Sequence, residues 1–176
     1  MTSNKKSKIF IIDTSAVLSG KQITDMQGDM VTTPGVSNEL KPGGRDYQTY
    51  QFLIEKGLKV ISPSKYSVDF VNKNAKETGD FGRLSSTDVE IMALALDLQK
   101  KHDKNIMILT DDYSIQNLAN YLKIKFEPIS QNSITKRFKW IYRCRGCGKK
   151  FKEHISICPI CGAKTKKIVS KSEHIN

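Results

Sequence analysis

Ile9-Phe-Ile-Ile-Asp-Thr-Ser-Ala16, written IFIIDTSA, sets four consecutive apolar residues directly before a carboxylate. An apolar run without polar alternation is the pattern of a strand covered on both faces, as in the parallel sheet of an α/β domain. A charge buried inside such a sheet is costly unless it is paired. At the carboxyl end of a parallel strand, however, the chain leaves the sheet at the edge where open α/β folds hold their ligands. Asp13 therefore has two readings from this stretch alone. It caps the next helix, a role that suits Asp, Thr and Ser alike, or it is a functional group held at the sheet edge.

Outward from this strand, residues 8–128 alternate short apolar runs with longer amphipathic ones. Further strands are expected at Leu58–Ile61, Ile106–Leu109 and Ile124–Phe126, with Val31–Thr33 as a strand tip. Helices are expected over Asp13–Leu18, from about Ser37, over Asp46–Lys56 after the break Lys41-Pro-Gly-Gly44, over Lys65–Lys76, from Ser86 to about Lys101, and over Tyr113–Leu122. The longest of these opens with a capping-box pattern, Thr87-x-x-Glu90. Such alternation predicts an α/β fold with a parallel sheet flanked by helices. Past Pro128 the chain turns polar and then strongly basic, so we divide it into a flexible N-terminus (1–7), the α/β domain (8–128), a linker (129–136), a small β zinc ribbon (137–166) and a flexible basic tail (167–176).

Charge is distributed as unevenly as structure. The chain carries 29 Lys and Arg against 18 Asp and Glu, a net of +11, and beyond Ser133 the acids are only Glu153 and Glu173. A polyanion is the natural partner of this last quarter, and nucleic acid suits it better than a membrane because no amphipathic apolar face accompanies the charge. The apolar run after Lys5, Lys6 and Lys8 ends at Asp13, short of a secretory h-region of about 7–15 residues, so a cytoplasmic protein with no membrane partner is expected.

The four cysteines form Cys144-x-x-Cys147, a ten-residue spacer and Cys158-x-x-Cys161. Two such knuckles supply the four tetrahedral ligands that zinc prefers, and one structural Zn²⁺ stabilises a module too small to build a core of its own. A redox role needs a Cys-x-x-Cys opening a helix in a βαβ setting, which neither pair has. In Arg137-Phe-Lys-Trp-Ile-Tyr-Arg143, period-two alternation puts Phe138, Trp140 and Tyr142 on one face and Arg137, Lys139 and Arg143 on the other. The aromatic face either docks on protein or stacks on bases. Together with Arg145, Lys149, Lys150 and Lys152, the basic face is a candidate RNA-binding surface, and Lys41, Arg45 and Arg83 in glycine-containing loops are candidate phosphate contacts.

The remaining chemistry lies in carboxylates. Asp13 follows the first strand, Glu39 sits near the start of the second helix, Asp88 falls in the first turn of the longest helix, and Asp111-Asp112 follow the run Ile106–Leu109 and Thr110. Each has a bland role available as a helix cap or a solvated group. Strand ends of a parallel sheet nevertheless share one edge, and carboxylates gathered there repel one another unless cations intervene. Oxygen-only ligands suit Mg²⁺ or Mn²⁺.

Asp13 in IIDTSAVL, Glu39 in SNEL, Asp88 in LSSTDVEIMALAL and Thr110-Asp-Asp112 in LTDDYSIQN resemble the four acidic blocks of a PIN-domain nuclease, in order. With the C-terminal Cys-x-x-Cys pairs, the chain resembles the Nin-one-binding family of ribosome-assembly endoribonucleases in its short archaeal form. That resemblance implies cleavage of precursor small-subunit (16S) rRNA at its 3′ end, with the small-subunit precursor and assembly factors as partners. The catalytic set it implies is Asp13, Glu39, Asp88, Asp111 and Asp112, with Mg²⁺ or Mn²⁺ held by Asp13, Glu39, Asp88 and Asp112. The Thr-x-Asp pattern favours Asp112 as the ligand of the adjacent pair. A bare PIN ribonuclease of the VapC toxin kind and a non-catalytic RNA-binding assembly factor are the rival readings.

Overall fold

The computed structural model describes residues 8–19, 23, 26–79, 81–101, 105–129 and 136–174. The N-terminal segment 1–7 and most of the expected linker lie outside them. Five parallel strands form the first sheet: β1 (Lys8–Ile12), β2 (Asp29–Thr32), β3 (Lys59–Val60), β4 (Asn105–Leu109) and β5 (Phe126–Glu127), in the order β3-β2-β1-β4-β5. The helices are α1 (Thr14–Leu18), α2 (Pro34–Glu39), α3 (Arg45–Glu55), α4 (Lys65–Thr78), α5 (Ser86–Lys101) and α6 (Tyr113–Tyr121).

The central strand is buried because its sequence is apolar on both faces. Ile9, Phe10, Ile11 and Ile12 are all buried, as are Ile106, Ile108 and Leu109 of β4, each such side chain stabilising the fold by about 1.5–3 kcal/mol. Helix α5 is buried on several sides at once, through Ile91, Met92, Ala93, Leu94 and Ala95. The Val31 strand tip proves to be a full strand, since Met30 and Val31 pair in parallel with Phe10 and Ile11. The fifth strand starts two residues later than the apolar run Ile124–Phe126, because Ile124 is already used to close the α6 turn with its amide on the Ala119 carbonyl.

The strand order reverses at β1, with β2 on one side and β4 on the other. Ligand-binding crevices form at the carboxyl ends of strands at such a reversal. Asp13 and Thr110 follow directly on β1 and β4, whose residues Ile12 and Leu109 are register partners.

The C-terminal module is an antiparallel sheet of β6 (Lys136–Cys144), β7 (Lys150–Phe151) and β8 (Thr165–His174) in the order β7-β6-β8. This corrects two expected boundaries, since β6 starts at Lys136, inside the expected linker, and β8 runs past residue 166. The basic tail is not a free segment from residue 167: nine residues of β6 pair with β8 out to Lys136 and His174. Charge density argued for a solvated tail, but Ile141 opposite Ile168 and Trp140 opposite Val169 supply the apolar cross-strand pairs that hold it.

Trp140 and Tyr142 of the aromatic face of β6 dock on protein, and the Phe138 side chain lies outside the described residues. Tyr142 is buried and meets His154 edge to face at 5.0 Å, while Trp140 takes the Arg83 guanidinium at 5.5 Å and the Lys167 ammonium at 4.9 Å over its ring. The backbone of β6 at Trp140 lies so close to Gly79, the left-handed C-cap of α4 with φ of 77°, that a Cβ there would sit 2.4 Å from the Trp140 carbonyl oxygen. Gly57 shares the left-handed backbone, with φ of 99°, but has open space around the missing Cβ.

Gly79→Ala and Gly57→Ala therefore both incur left-handed strain of about 1–2 kcal/mol, and Gly79→Ala adds a backbone collision between the domains. In thermal melts Gly79→Ala is expected to lower Tm clearly more than Gly57→Ala; equal losses would mean that the seam contributes nothing.

Candidate active site

At the edge where β1 and β4 end, three side chains close a hydrogen-bonded knot. Thr110 Oγ1 and Ser15 Oγ each donate to Asp13 Oδ2 at 2.7 Å. The Asp111 amide donates to Ser15 Oγ at 2.9 Å and the Asp112 amide to Thr110 Oγ1 at 3.0 Å. Asp13 stands at the N-cap position of α1, yet its side chain caps nothing there. The carboxylate is instead buried, 3% exposed, and fixed across the switch point. Burial raises its pKa, the hydroxyl donors of Ser15 and Thr110 oppose that rise, and the charge of Asp112 adds to it.

Asp88 does cap its helix. The Ser85 amide donates to Asp88 Oδ2 at 2.7 Å, and the Asp88 amide donates to Ser85 Oγ at 3.1 Å. The capping box of α5 is thus Ser85 with Asp88, not Thr87 with Glu90. Glu90 reaches instead to α2, where its Oε2 accepts the Gly35 amide at 2.9 Å. Desolvation, aided by the charges of Asp13 and Asp112 and opposed by the Ser85 hydrogen bonds, pushes the Asp88 pKa up to about 6. These three carboxylates therefore feel one another, whatever local duty each has.

The adjacent pair divides by geometry. Asp112 caps α6 through Oδ1, which accepts the Ser114 and Ile115 amides at 2.5 and 3.1 Å, and its charge acts on both Asp13 and Asp88. Asp111 is buried and accepts the Ile129 amide at 2.8 Å through Oδ1, tying the exit of β5 to the end of β4. Glu39, the last residue of α2, is exposed and accepts the Thr14 hydroxyl at 2.5 Å through Oε2, which brings it to the rim beside Asp13. Sequence reasoning did not assign Ser15 and Thr110 as carboxylate orienters. The available signal was two hydroxyl residues immediately beyond two buried strand ends.

The donor set at this edge is oxygen only, and its repelling, desolvated carboxylates fit a hard divalent cation. The other cluster is sulfur only. Cys144 Sγ lies 3.3 Å from Cys161 Sγ and Cys147 Sγ 3.7 Å from Cys158 Sγ, and all four ligand atoms fall within 4.8 Å of one another. Zn–S bonds of about 2.3 Å in a tetrahedron place sulfurs about 3.8 Å apart, so the thiols fit zinc. The Gly146 amide donates to Cys144 Sγ at 3.3 Å, and Gly148 and Gly162, one after each pair, turn through φ of 74° and 72°. Among the described residues this is the one group of three or more His, Cys, Asp and Glu side chains gathered tightly enough to enclose an ion. The carboxylates are spaced more loosely, which suits an ion that keeps part of its water shell.

Of the expected RNA contacts, Lys41 and Arg45 are exposed around the start of α3, and Lys139, Arg143, Arg145, Lys149, Lys150 and Lys152 are exposed on the ribbon. Arg83 is exposed as well, and its guanidinium joins the two domains through Trp140. The Arg137 side chain lies outside the described residues.

Residues 10–98 match a family model described as the PIN domain of ribonuclease. The chain is 38% identical to the Endoribonuclease Nob1 of Archaeoglobus fulgidus over 156 residues, 89% of this chain and 88% of that protein. It is also 38% identical to the Ribonuclease VapC1 of Thermoplasma acidophilum over 163 residues, 93% of this chain and 79% of that protein. A more distant match, the 20S-pre-rRNA D-site endonuclease NOB1 of Saccharomyces cerevisiae, is 32% identical over 108 residues, 57% of this chain and 23% of that protein.

The raised pKa of Asp88 has a definite sign in stability. A carboxyl with a higher pKa folded than unfolded favours the fold below its unfolded pKa, and that contribution is lost as pH rises through about 6. With zinc on the thiols and no other divalent ion, Asp88→Asn is expected to melt above the wild type at pH 8 and level with it near pH 4; the opposite order at pH 8 contradicts the repelling cluster. Removal of zinc by a strong chelator is expected to release one ion per chain and red-shift the emission of Trp140, the single tryptophan, which lies in β6 beside the cluster.

Proposed function

Since the chain belongs to the Nob1 family of PIN-domain endoribonucleases, we propose that it cuts precursor small-subunit rRNA at the 3′ end of the mature sequence, as a metal-dependent phosphodiester hydrolase. The observation that carries this reading is the set of carboxylates at the switch point of the sheet, Asp13 buried and Asp88 and Asp112 partly so, whose charges act on one another. The name of the Saccharomyces cerevisiae relative, which specifies pre-rRNA, supports the substrate class.

In this proposal Asp13, Asp88 and Asp112 hold Mg²⁺ or Mn²⁺, and Glu39 at the rim takes part in the same shell. A bound divalent ion supplies polarisation of the scissile phosphate and a lowered pKa for the attacking water. Thr110 and Ser15 keep the Asp13 carboxylate in one rotamer, so the site is rigid before RNA arrives. Glu39 Oε2 is occupied by Thr14, which leaves Oε1 to orient the water for attack in line with the leaving 3′-oxygen. The products are a 5′-phosphate and a 3′-hydroxyl. Asp111, whose carboxylate carries the Ile129 amide, is a positioning residue and not a ligand in this scheme.

RNA is held by charge. Antiparallel pairing sets Lys139 opposite Lys171 and Arg143 opposite Lys166 on the outer face of the ribbon. Like charges directly opposed on a sheet cost stability, and a polyanion offsets that cost. Lys41 and Arg45 extend the basic surface on the nuclease domain. Among the described residues no helix is long and apolar enough to cross a membrane, and we place the enzyme in the cytoplasm, acting on the small-subunit precursor with its assembly factors.

One observation favours a second reading. The match to Ribonuclease VapC1 spans 93% of this chain, ribbon included, so the ribbon does not separate a maturation nuclease from a toxin-like ribonuclease. Substrate choice does. With Mn²⁺ and a transcript spanning the small-subunit 3′ end, the wild type is expected to cut at one position. Thr110→Val is expected to lower the rate about 10–100-fold, and Asp13→Asn by at least about 100-fold. Indiscriminate cutting of unrelated RNA supports the toxin-like reading; cleavage untouched by Asp13→Asn overturns the metal site.

A further inference from the structure

A cavity of about 250 Å³ opens at the seam between the domains, lined by Lys76, Gly79, Phe81, Gly82, Tyr142, Lys152, Glu153 and His154. It belongs neither to the carboxylates nor to the thiols. Its walls are aromatic: Phe81 is 43% exposed, and Tyr142 meets His154 at 86°. Its cations come from both domains, Lys76 lying 5.1 Å from the Phe81 ring centroid and Lys152 standing on the ribbon. Glu153 adds one acceptor. Sites for drug-sized molecules run to about 300–1,000 Å³, so this one fits a single aromatic heterocycle.

We propose that this cavity receives one unpaired base of the RNA substrate, stacked on Phe81 and His154, with its flanking phosphates on Lys76 and Lys152. The inference rests on the RNA-cleaving reading above and adds a subsite to it. Aromatic surface beside lysine ammonium groups is the chemistry that holds single-stranded nucleic acid, because every base offers a π face and every linkage an anion. The Glu153 carboxylate accepts from N–H groups on a base edge and so favours bases that present donors there. Position supports the assignment too. Gly82 precedes Ser85 of the Asp88 capping box by three residues, so its Cα lies within about 11 Å of the Ser85 Cα. An RNA strand lying on the carboxylates reaches the cavity within a few nucleotides.

Gly82 makes the test clean. Its backbone needs no positive φ, and a Cβ there would meet Tyr142 Oη at only 3.4 Å, so Gly82→Val fills the cavity without backbone strain. The full-length, zinc-loaded chain is titrated with two labelled RNAs, one fully duplex and one carrying an unpaired loop, for the wild type, Gly82→Val and Phe81→Ala. Cleavage of the 3′-end transcript at saturating RNA is measured in parallel. Both variants are expected to weaken binding of the looped RNA about 10-fold, as loss of one stacked base does, with duplex affinity and the saturated cleavage rate within twofold of wild type. Unchanged affinity for looped RNA in both variants, with Tm raised by Gly82→Val, overturns the proposal and leaves a packing gap at the seam. Equal weakening for duplex and loop also overturns it. Failure of the wild type to cut any RNA while loop-selective binding persists refutes the nuclease reading and leaves this subsite standing.

Discussion

The parallel pairing of β1 with β4 is the constraint on which the site depends. Five residues of each strand are in register, from Lys8 opposite Asn105 to Ile12 opposite Leu109, and both strands are apolar enough that a one-residue slip would expose core side chains. Register alone therefore puts Asp13 beside Thr110, and the Asp13 amide on the Leu109 carbonyl continues the ladder past the strand end. From that juxtaposition follow the Thr110 and Ser15 bonds to one carboxylate oxygen. Because the chain turns into α1 and α6 just there, Asp112 arrives at the same edge while capping a helix. Capping and ligation are compatible duties, since a carboxylate has two oxygens.

The ribbon is built on the opposite strategy. Its apolar content is small, and four thiols take the place of a core. Strand β6 serves two sheets of contacts at once: Trp140 and Tyr142 face the nuclease domain, and Lys139 and Arg143 face solvent. The long β8 strand doubles the outward charge by setting lysines opposite basic residues. A face that costs stability in isolation is better suited to a polyanion than to water, and the close approach of Gly79 to Trp140 fixes where that face points relative to the carboxylates.

Much of this was legible one residue at a time. The IFII run gave a buried strand, and the doubled Cys-x-x-Cys gave a metal cluster with the glycine turns it needs. The alternation of β6 gave an aromatic and a basic face, though not which surface the aromatics would meet. Other readings failed for identifiable reasons. Thr87 and Glu90 have capping-box spacing, but Ser85 starts the helix bonding and Glu90 is drawn away to Gly35. The basic tail read as solvated because composition counts charges and not the Ile168 and Val169 that pair across to β6.

What the sequence determined by itself is the chemistry: which residues carry carboxylates and thiols, at strand ends and at knuckle spacing, with the apolar runs that bury them. Periodicity and spacing are local quantities, so a single chain states them. What only the tertiary structure decided is which partners each carboxylate meets. Asp111 and Asp112 are neighbours of the same type, and beyond the Thr-x-Asp resemblance nothing local separates them; the Ile129 amide bonds to one, while the other caps α6 and acts on Asp13 and Asp88 through its charge. That division depends on the return of the chain through β5 and on the placement of α5, contacts between residues far apart in sequence, where no pattern of spacing reaches.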